Sequence, residues 1–183
     1  MRQRSDYPTF SDQEIARRHK TIYTLMDQEG VDTLLVYGTG RYSSDVYWLT
    51  DWPCSREAYV LFQNGKEPVV LMQLFNHFPM TRVMSIVKDV RWAGANTGNS
   101  VLELVHERGL ESKKIGLVGA VPYQHYNRLR EEFPNATFAD LPRATQRSNH
   151  KQQPPSPETL FWKAASCLWA ALRLRLPLRL LSA

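Results

Sequence analysis

EGVDTLLVYG, residues 29–38, places a glycine and an aspartate in front of a run that is apolar almost throughout. A short run of this kind does not alternate, so it predicts a strand covered on both faces, as in a sheet sandwiched between helices. Upstream, Ser11–Glu29 predicts a helix. Ser11 and Glu14 have the spacing of a capping box, Ile15, Ile22, Leu25 and Met26 fall near one face, and Gly30 supplies the stop. Helix, glycine, Val-Asp and buried strand together form an α/β opening.

Downstream, EAYVLF and PVVLMQ flank Asn64-Gly65, the pattern of two strands joined by a tight turn. Residues 74–84 predict a helix, provided that Pro79 sits in its first turn. Asp89–Trp92 reads as a strand. Asn99 is expected to cap a helix over SVLELVHER that stops at Gly109, and Lys114–Gly119 is a further buried strand. Pro122 opens the helix PYQHYNRLREEF, and Thr137–Asp140 forms a last strand. Residues 11–141 thus predict an α/β fold, with three or four helices on both faces of a mixed sheet of about six strands, in three layers.

Bulk properties narrow the function classes. The 183 residues are 43% hydrophobic and 22% charged, which argues for a packed domain. Residues 151–183 carry five cations against Glu158. They account for +4 of the net +5, leaving the first 150 residues nearly neutral and giving no charge-based case for a nucleic-acid partner. Two cysteines, Cys54 and Cys167, do not make a disulfide framework, so a reducing, cytoplasmic setting is expected. The N-terminus lacks the apolar core of a signal peptide. The longest uncharged run of the tail, Ala164–Leu172, is nine residues, well short of the roughly 20 that span a bilayer, so no membrane span is expected.

No complete catalytic motif emerges. Gly38-Thr39-Gly40 follows a strand but lacks a third glycine and a Walker lysine. None of the five histidines, His19, His77, His106, His125 and His150, stands three or four positions from another. His106, beside Glu107 and Glu103, reads as a solvated helix face, and His77 and His125 as packing residues. Cys54 as a nucleophile is a minor reading, since it needs a nearby base and sequence leaves only His77 open for that role. Asp32, Asp45, Asp51 and Asp140 read as turn or cap residues. The densest stretch is VYWLTDWPCSREAYVLF, residues 46–62, where aromatics and one arginine serve either a recognition surface or a packed corner.

The order Glu29-Gly30-Val31-Asp32, Tyr47-Trp48-Leu49-Thr50-Asp51, Lys114-Ile115-Gly116 and Phe138-Ala139-Asp140 resembles the N-terminal domain of the creatinase / prolidase / aminopeptidase P family, the pita-bread metallopeptidase relatives. The chain departs from the family's aromatic-Leu-Thr-Gly motif at Asp51. The resemblance covers roughly residues 14–145. It implies a non-catalytic domain that contributes oligomerisation, with a homodimer expected, and shapes a substrate site in a Xaa-Pro peptidase or creatinase-like hydrolase. It also implies that the two divalent metals of the full-length relatives, of Mn, Co or Zn type, are held by a second domain, so that this chain has no metal ligands of its own. Trp48, Trp52, Arg56 and His77 become candidate substrate-lining or interface residues. Arginine suits a carboxylate through paired donors, and tryptophan suits an amphipathic wall.

The expected organisation is a creatinase-type domain over residues 1–145, a linker over 146–157, and residues 158–183 as either the start of a truncated catalytic domain or an aberrant tail. Ser156-Pro157-Glu158 echoes the family's domain junction. LRLRLPLRLL after it alternates around Pro177 and suits neither a helix nor a surface strand, as an out-of-frame translation would. The alternative is a stand-alone protein- or membrane-interaction module acting through the apolar, basic residues 151–183.

Overall fold

The computed structural model describes residues 9–142. The expected linker, the tail and the domain boundary near residue 145 lie outside these residues.

Helix α1 spans Asp12–Glu29. Ser11 caps it, its side chain accepting from the Glu14 amide at 3.2 Å. The Glu14 carboxylate turns away from the reciprocal capping position to bind Arg17 and Arg18, which hold its pKa down at about 2, the Arg17 hydrogen bond first among the causes. Gly30 closes the helix at φ 62°, where an L side chain is strained. Strand β1, Thr33–Gly38, follows and is buried at every position.

The remaining elements are α2 (Ser44–Thr50), β2 (Ala58–Gln63), β3 (Val69–Met72), α3 (Phe78–Met84), β4 (Asp89–Trp92), α4 (Thr97–Glu107), β5 (Lys114–Val118), α5 (Tyr123–Glu132) and β6 (Thr137–Leu141). The six strands run in the order β4-β3-β2-β1-β5-β6. β2 is antiparallel to both β1 and β3, and the other pairs are parallel. The β2–β3 hairpin turns at Asn64-Gly65, with Gly65 at φ 72°.

Strand alternation sorts the core into two layers. Leu34, Val36, Val60 and Phe62 face α1 and α2, packing with Ile22, Leu25, Trp48 and Leu49. Leu35, Tyr37, Tyr59 and Leu61 face α4 and α5, packing with Val101, Leu104, Leu129 and Phe133. Successive side chains on a strand point to opposite faces, so one run such as Leu34–Tyr37 feeds both layers. At Gly116, a Cβ would fall 2.5 Å from Leu141 Cδ1 and 2.7 Å from Leu34 Cδ2, so the absence of a side chain lets these leucines close over the strand.

Two local expectations are corrected. Helix α4 is capped by Asn96, not Asn99. The Asn96 side chain accepts from the Asn99 amide at 3.2 Å, three residues into the turn, so Asn99 lies inside the helix. The segment 74–84 is divided into a 3₁₀ turn over Phe75–His77 and then α3, with Pro79 in the first turn of α3. Helix α2 brings the described residues to five α-helices, one more than expected.

Candidate functional site at the carboxyl edge of the sheet

The ends of β1, β3, β4, β5 and β6, together with the start of β2, lie along one edge of the sheet. Gly38 pairs with Ala58, Ala58 with Met72, and Met72 with Trp92. In α/β sheets this carboxyl edge is where loops assemble into sites. Here it carries residues 51–57, the 3₁₀ turn at Phe75–His77, and Trp92.

Helix α2 delivers the first loop. Asp51 ends it at φ 57°, the left-handed conformation that glycine adopts without strain and aspartate tolerates. This accounts for aspartate at the position where the family motif has glycine. The Asp51 carboxylate also accepts from the Phe10 amide at 3.1 Å, tying the entry of α1 to the end of α2.

Trp48 and Trp52 are each 4% exposed and belong to the core layer under α1. Arg18, itself buried, donates to the Trp48 carbonyl at 3.1 Å and lies between the rings of Phe10 and Trp48. The two indoles thus pack inside this chain, and of the expected residues in this loop Arg56 is the one on the surface.

The Arg56 loop is fixed from below. Ser43 Oγ donates to the Cys54 carbonyl at 2.6 Å. Cys54 Sγ donates to the Arg56 carbonyl at 2.6 Å. The Gln73 amide donates to the Glu57 carbonyl at 3.1 Å, and Tyr37 Oη donates to Glu57 Oε2 at 3.2 Å. Burial, reinforced by the Glu57 charge, pushes the Tyr37 phenol up to about 12. Tyr59, wholly buried, places its hydroxyl 2.7 Å from His125 Nδ1, and burial raises its pKa too. These bonds tie the loop to the sheet beneath it and leave Arg56 exposed at its surface.

Cys54 fails as a nucleophile on physical grounds. It is 3% exposed, its thiol is committed to a carbonyl, and burial pushes its pKa up to about 11, whereas a reactive cysteine needs a depressed one. In a Cys167→Ser background, Cys54 in the native chain should react with iodoacetamide at least about tenfold more slowly than free cysteine at pH 8 and reach the free rate in urea. A native rate equal to that of free cysteine would contradict this placement.

Sequence reading did not find the aromatic cluster beside the loop. Phe75 is 63% exposed and Trp92 48%, and their rings meet edge to face with centroids 5.2 Å apart. Trp92 Nε1 donates to the Gln73 carbonyl at 2.9 Å. Phe78 stacks beyond Phe75 at 6.4 Å. His77 is half-buried at the start of α3, where its carbonyl accepts from Thr81 Oγ1 at 2.9 Å. Two large exposed aromatics held in contact form a small apolar platform.

The other described histidines serve packing or surface pairing. His106 is exposed on its helix face, and its partners are Glu111 at 3.1 Å and Glu132 at 3.6 Å. His19 packs edge-on against Phe62, and burial lowers its pKa. Among the described residues no group of three or more His, Cys, Asp or Glu side chains is placed to hold a metal ion. No helix among these residues is long and apolar enough to cross a membrane.

This architecture, a six-stranded mixed sheet between helices with one antiparallel strand at its centre, defines a three-layer α/β domain of the creatinase N-terminal type. The Creatinase/Prolidase N-terminal domain family model matches residues 18–148, and the chain belongs to that family. Among solved structures it is similar to an aminopeptidase P from Streptococcus thermophilus, with 20% identity and a TM-score of 0.59, covering 74% of this chain and 98% of that one. A Xaa-Pro aminopeptidase structure from Streptococcus pyogenes gives 17% identity and a TM-score of 0.60, covering 75% and 98%. Against Xaa-Pro dipeptidase from Bacillus anthracis the identity is 14% and the TM-score 0.58, and the match covers 73% of this chain but 35% of that protein. The chain thus spans about a third of that dipeptidase. No curated protein matches it.

Proposed function

We propose that this chain supplies the assembly and site-shaping part of a Xaa-Pro peptidase or creatinase-like metallohydrolase and does not itself carry out catalysis. The observation that carries this reading is the carboxyl edge of the sheet, which holds both a hydrogen-bonded loop with Arg56 exposed and the exposed Phe75–Trp92 pair. Exposed aromatics that keep one fixed geometry suit a subunit contact, and a projecting guanidinium suits a carboxylate on a substrate at a neighbour's site. Trp48 and Trp52 act beneath the loop by fixing α2, and His77 acts at its margin. The homodimer is the assembly proposed, and the two divalent metals belong to a companion catalytic domain. The buried, free Cys54 suits the reducing cytoplasm in which we place the protein.

The purified full chain, supplied with Mn²⁺, Co²⁺ or Zn²⁺, should show no hydrolysis of Xaa-Pro dipeptides above the metal-only blank. Metal-dependent turnover that co-purifies with the chain would overturn the reading. The interaction-module alternative rests on residues 151–183, outside those described, and the comparisons give it no support.

A further inference from the structure

A second concavity lies on the α1 side of the sheet and takes no part in the carboxyl-edge site. It is a groove of about 640 Å³ between α1 and the α3–β4 connection. Ile15 and Ala16 of α1 line one wall, and Val83, Ile86 and Val87 line the other. Val83 is 54% exposed, so its side chain is open to solvent at the groove wall. The volume falls in the range of small-molecule sites, and an apolar lining with a few charged groups is the composition such sites share.

The charges give the groove a preference. Arg82 and Lys88 stand on its α3–β4 side, both exposed. The Arg82 guanidinium lies over the Phe78 ring, 5.7 Å from its centroid, and neither cation forms an ion pair among the described residues. Asp12, in the first turn of α1, is the one acidic residue of the lining. Two cations against one carboxylate leave the groove net positive. Ser85, also in the lining, is satisfied internally, since its hydroxyl meets the Thr50 carbonyl at 3.3 Å and the Val87 amide at 3.0 Å. The polar recognition available to a ligand is therefore the cationic pair, with His19, whose Nε2 is buried without a hydrogen-bond partner, deeper in the lining.

We propose that this groove binds a small amphiphilic anion, a free apolar carboxylate whose chain lies on Ile15, Val83 and Ile86 and whose head group meets Arg82 and Lys88. Such a ligand buries apolar surface that the chain now leaves open and brings a counter-charge to two unpaired cations. A neutral amphiphile would gain only the first of these contributions, and a cationic one would meet repulsion from both Arg82 and Lys88. The site does not depend on the reading of Arg56.

Decanoate, kept below its micelle threshold, is the probe. In ¹H–¹⁵N spectra of the full chain its largest shifts should fall on the amides of Ile15, Ala16, Val83, Ile86 and Val87. Decanol and decylamine should bind roughly tenfold more weakly or worse, the size expected from two partly solvated charge contacts. Arg82→Gln/Lys88→Gln should weaken decanoate by a similar factor and leave decanol unchanged, while Arg56→Ala should alter neither. Shifts centred instead on Phe75 and Trp92, equal binding of decanoate and decanol, or a double variant that binds decanoate as well as the parent would each overturn the proposal. Because both substituted side chains are exposed, the double variant should fold, and its unchanged decanol binding verifies that the groove is intact.

Discussion

Trp48→Ala is expected to destabilise the domain by about 3–5 kcal/mol, whereas Arg56→Ala should change stability by less than about 0.5 kcal/mol. Both residues were candidates for one recognition surface, and they differ in burial. Trp48 is 4% exposed, packs in the layer under α1, and its carbonyl receives the buried Arg18. Truncation removes a large apolar surface and leaves a cavity beside a guanidinium whose placement depends on the α2 backbone. Arg56 is exposed and contributes its carbonyl, not its head group, to the loop network. Replacing it with alanine preserves that carbonyl and the Cys54 bond. Urea unfolding of both variants checks the pair. A Trp48→Ala protein as stable as the parent would return the indole to the surface.

Gly119→Ala is the second large expected loss, about 3–5 kcal/mol. Gly119 follows β5 at φ 92°, a conformation that disfavours L side chains. An added Cβ would press onto the Tyr37 carbonyl oxygen, inside van der Waals contact. The obstacle is backbone of the central strand, so rotamer change cannot relieve it. Displacing Tyr37 would also disturb its bond to Glu57 and hence the loop that carries Arg56. Gly65→Ala serves as the control. It shares a positive φ of 72° but has nothing within 4 Å of the added carbon, so it should cost only about 1–2 kcal/mol. Equal losses at the two sites would show that the contact with Tyr37 carries no weight.

The layers of the fold were readable from sequence because strong local signals agreed with the global arrangement. The capped helix before Gly30, the uninterrupted apolar run of β1 and the Asn-Gly turn each stand in the structure at the expected place. Helix α2 was not readable. Seven residues are too few to show a helical period, and so short a helix depends on tertiary packing more than on propensity. The cap of α4 was misplaced by three residues because two asparagines compete within one turn.

At the site, periodicity could not tell a buried tryptophan from an exposed one, since aromatic density suits a core as well as a surface. The Phe75–Trp92 pair was hidden for a different reason. The two residues are brought together by the parallel register of β3 and β4, in which Met72 faces Trp92, and no local spacing encodes that pairing. The partners of His106 escaped notice likewise, because Glu111 and Glu132 reach it from outside its own helix.

Sedimentation velocity of the full chain over a concentration series tests the assembly role most directly, with Phe75→Ser/Trp92→Ser beside the parent. The account predicts a concentration-dependent dimer for the parent and a folded monomer for the double variant, whose substituted side chains are already largely exposed. A parent that stays monomeric throughout, or a double variant that dimerises as the parent does, would contradict the claim that the carboxyl edge of this domain is an assembly surface.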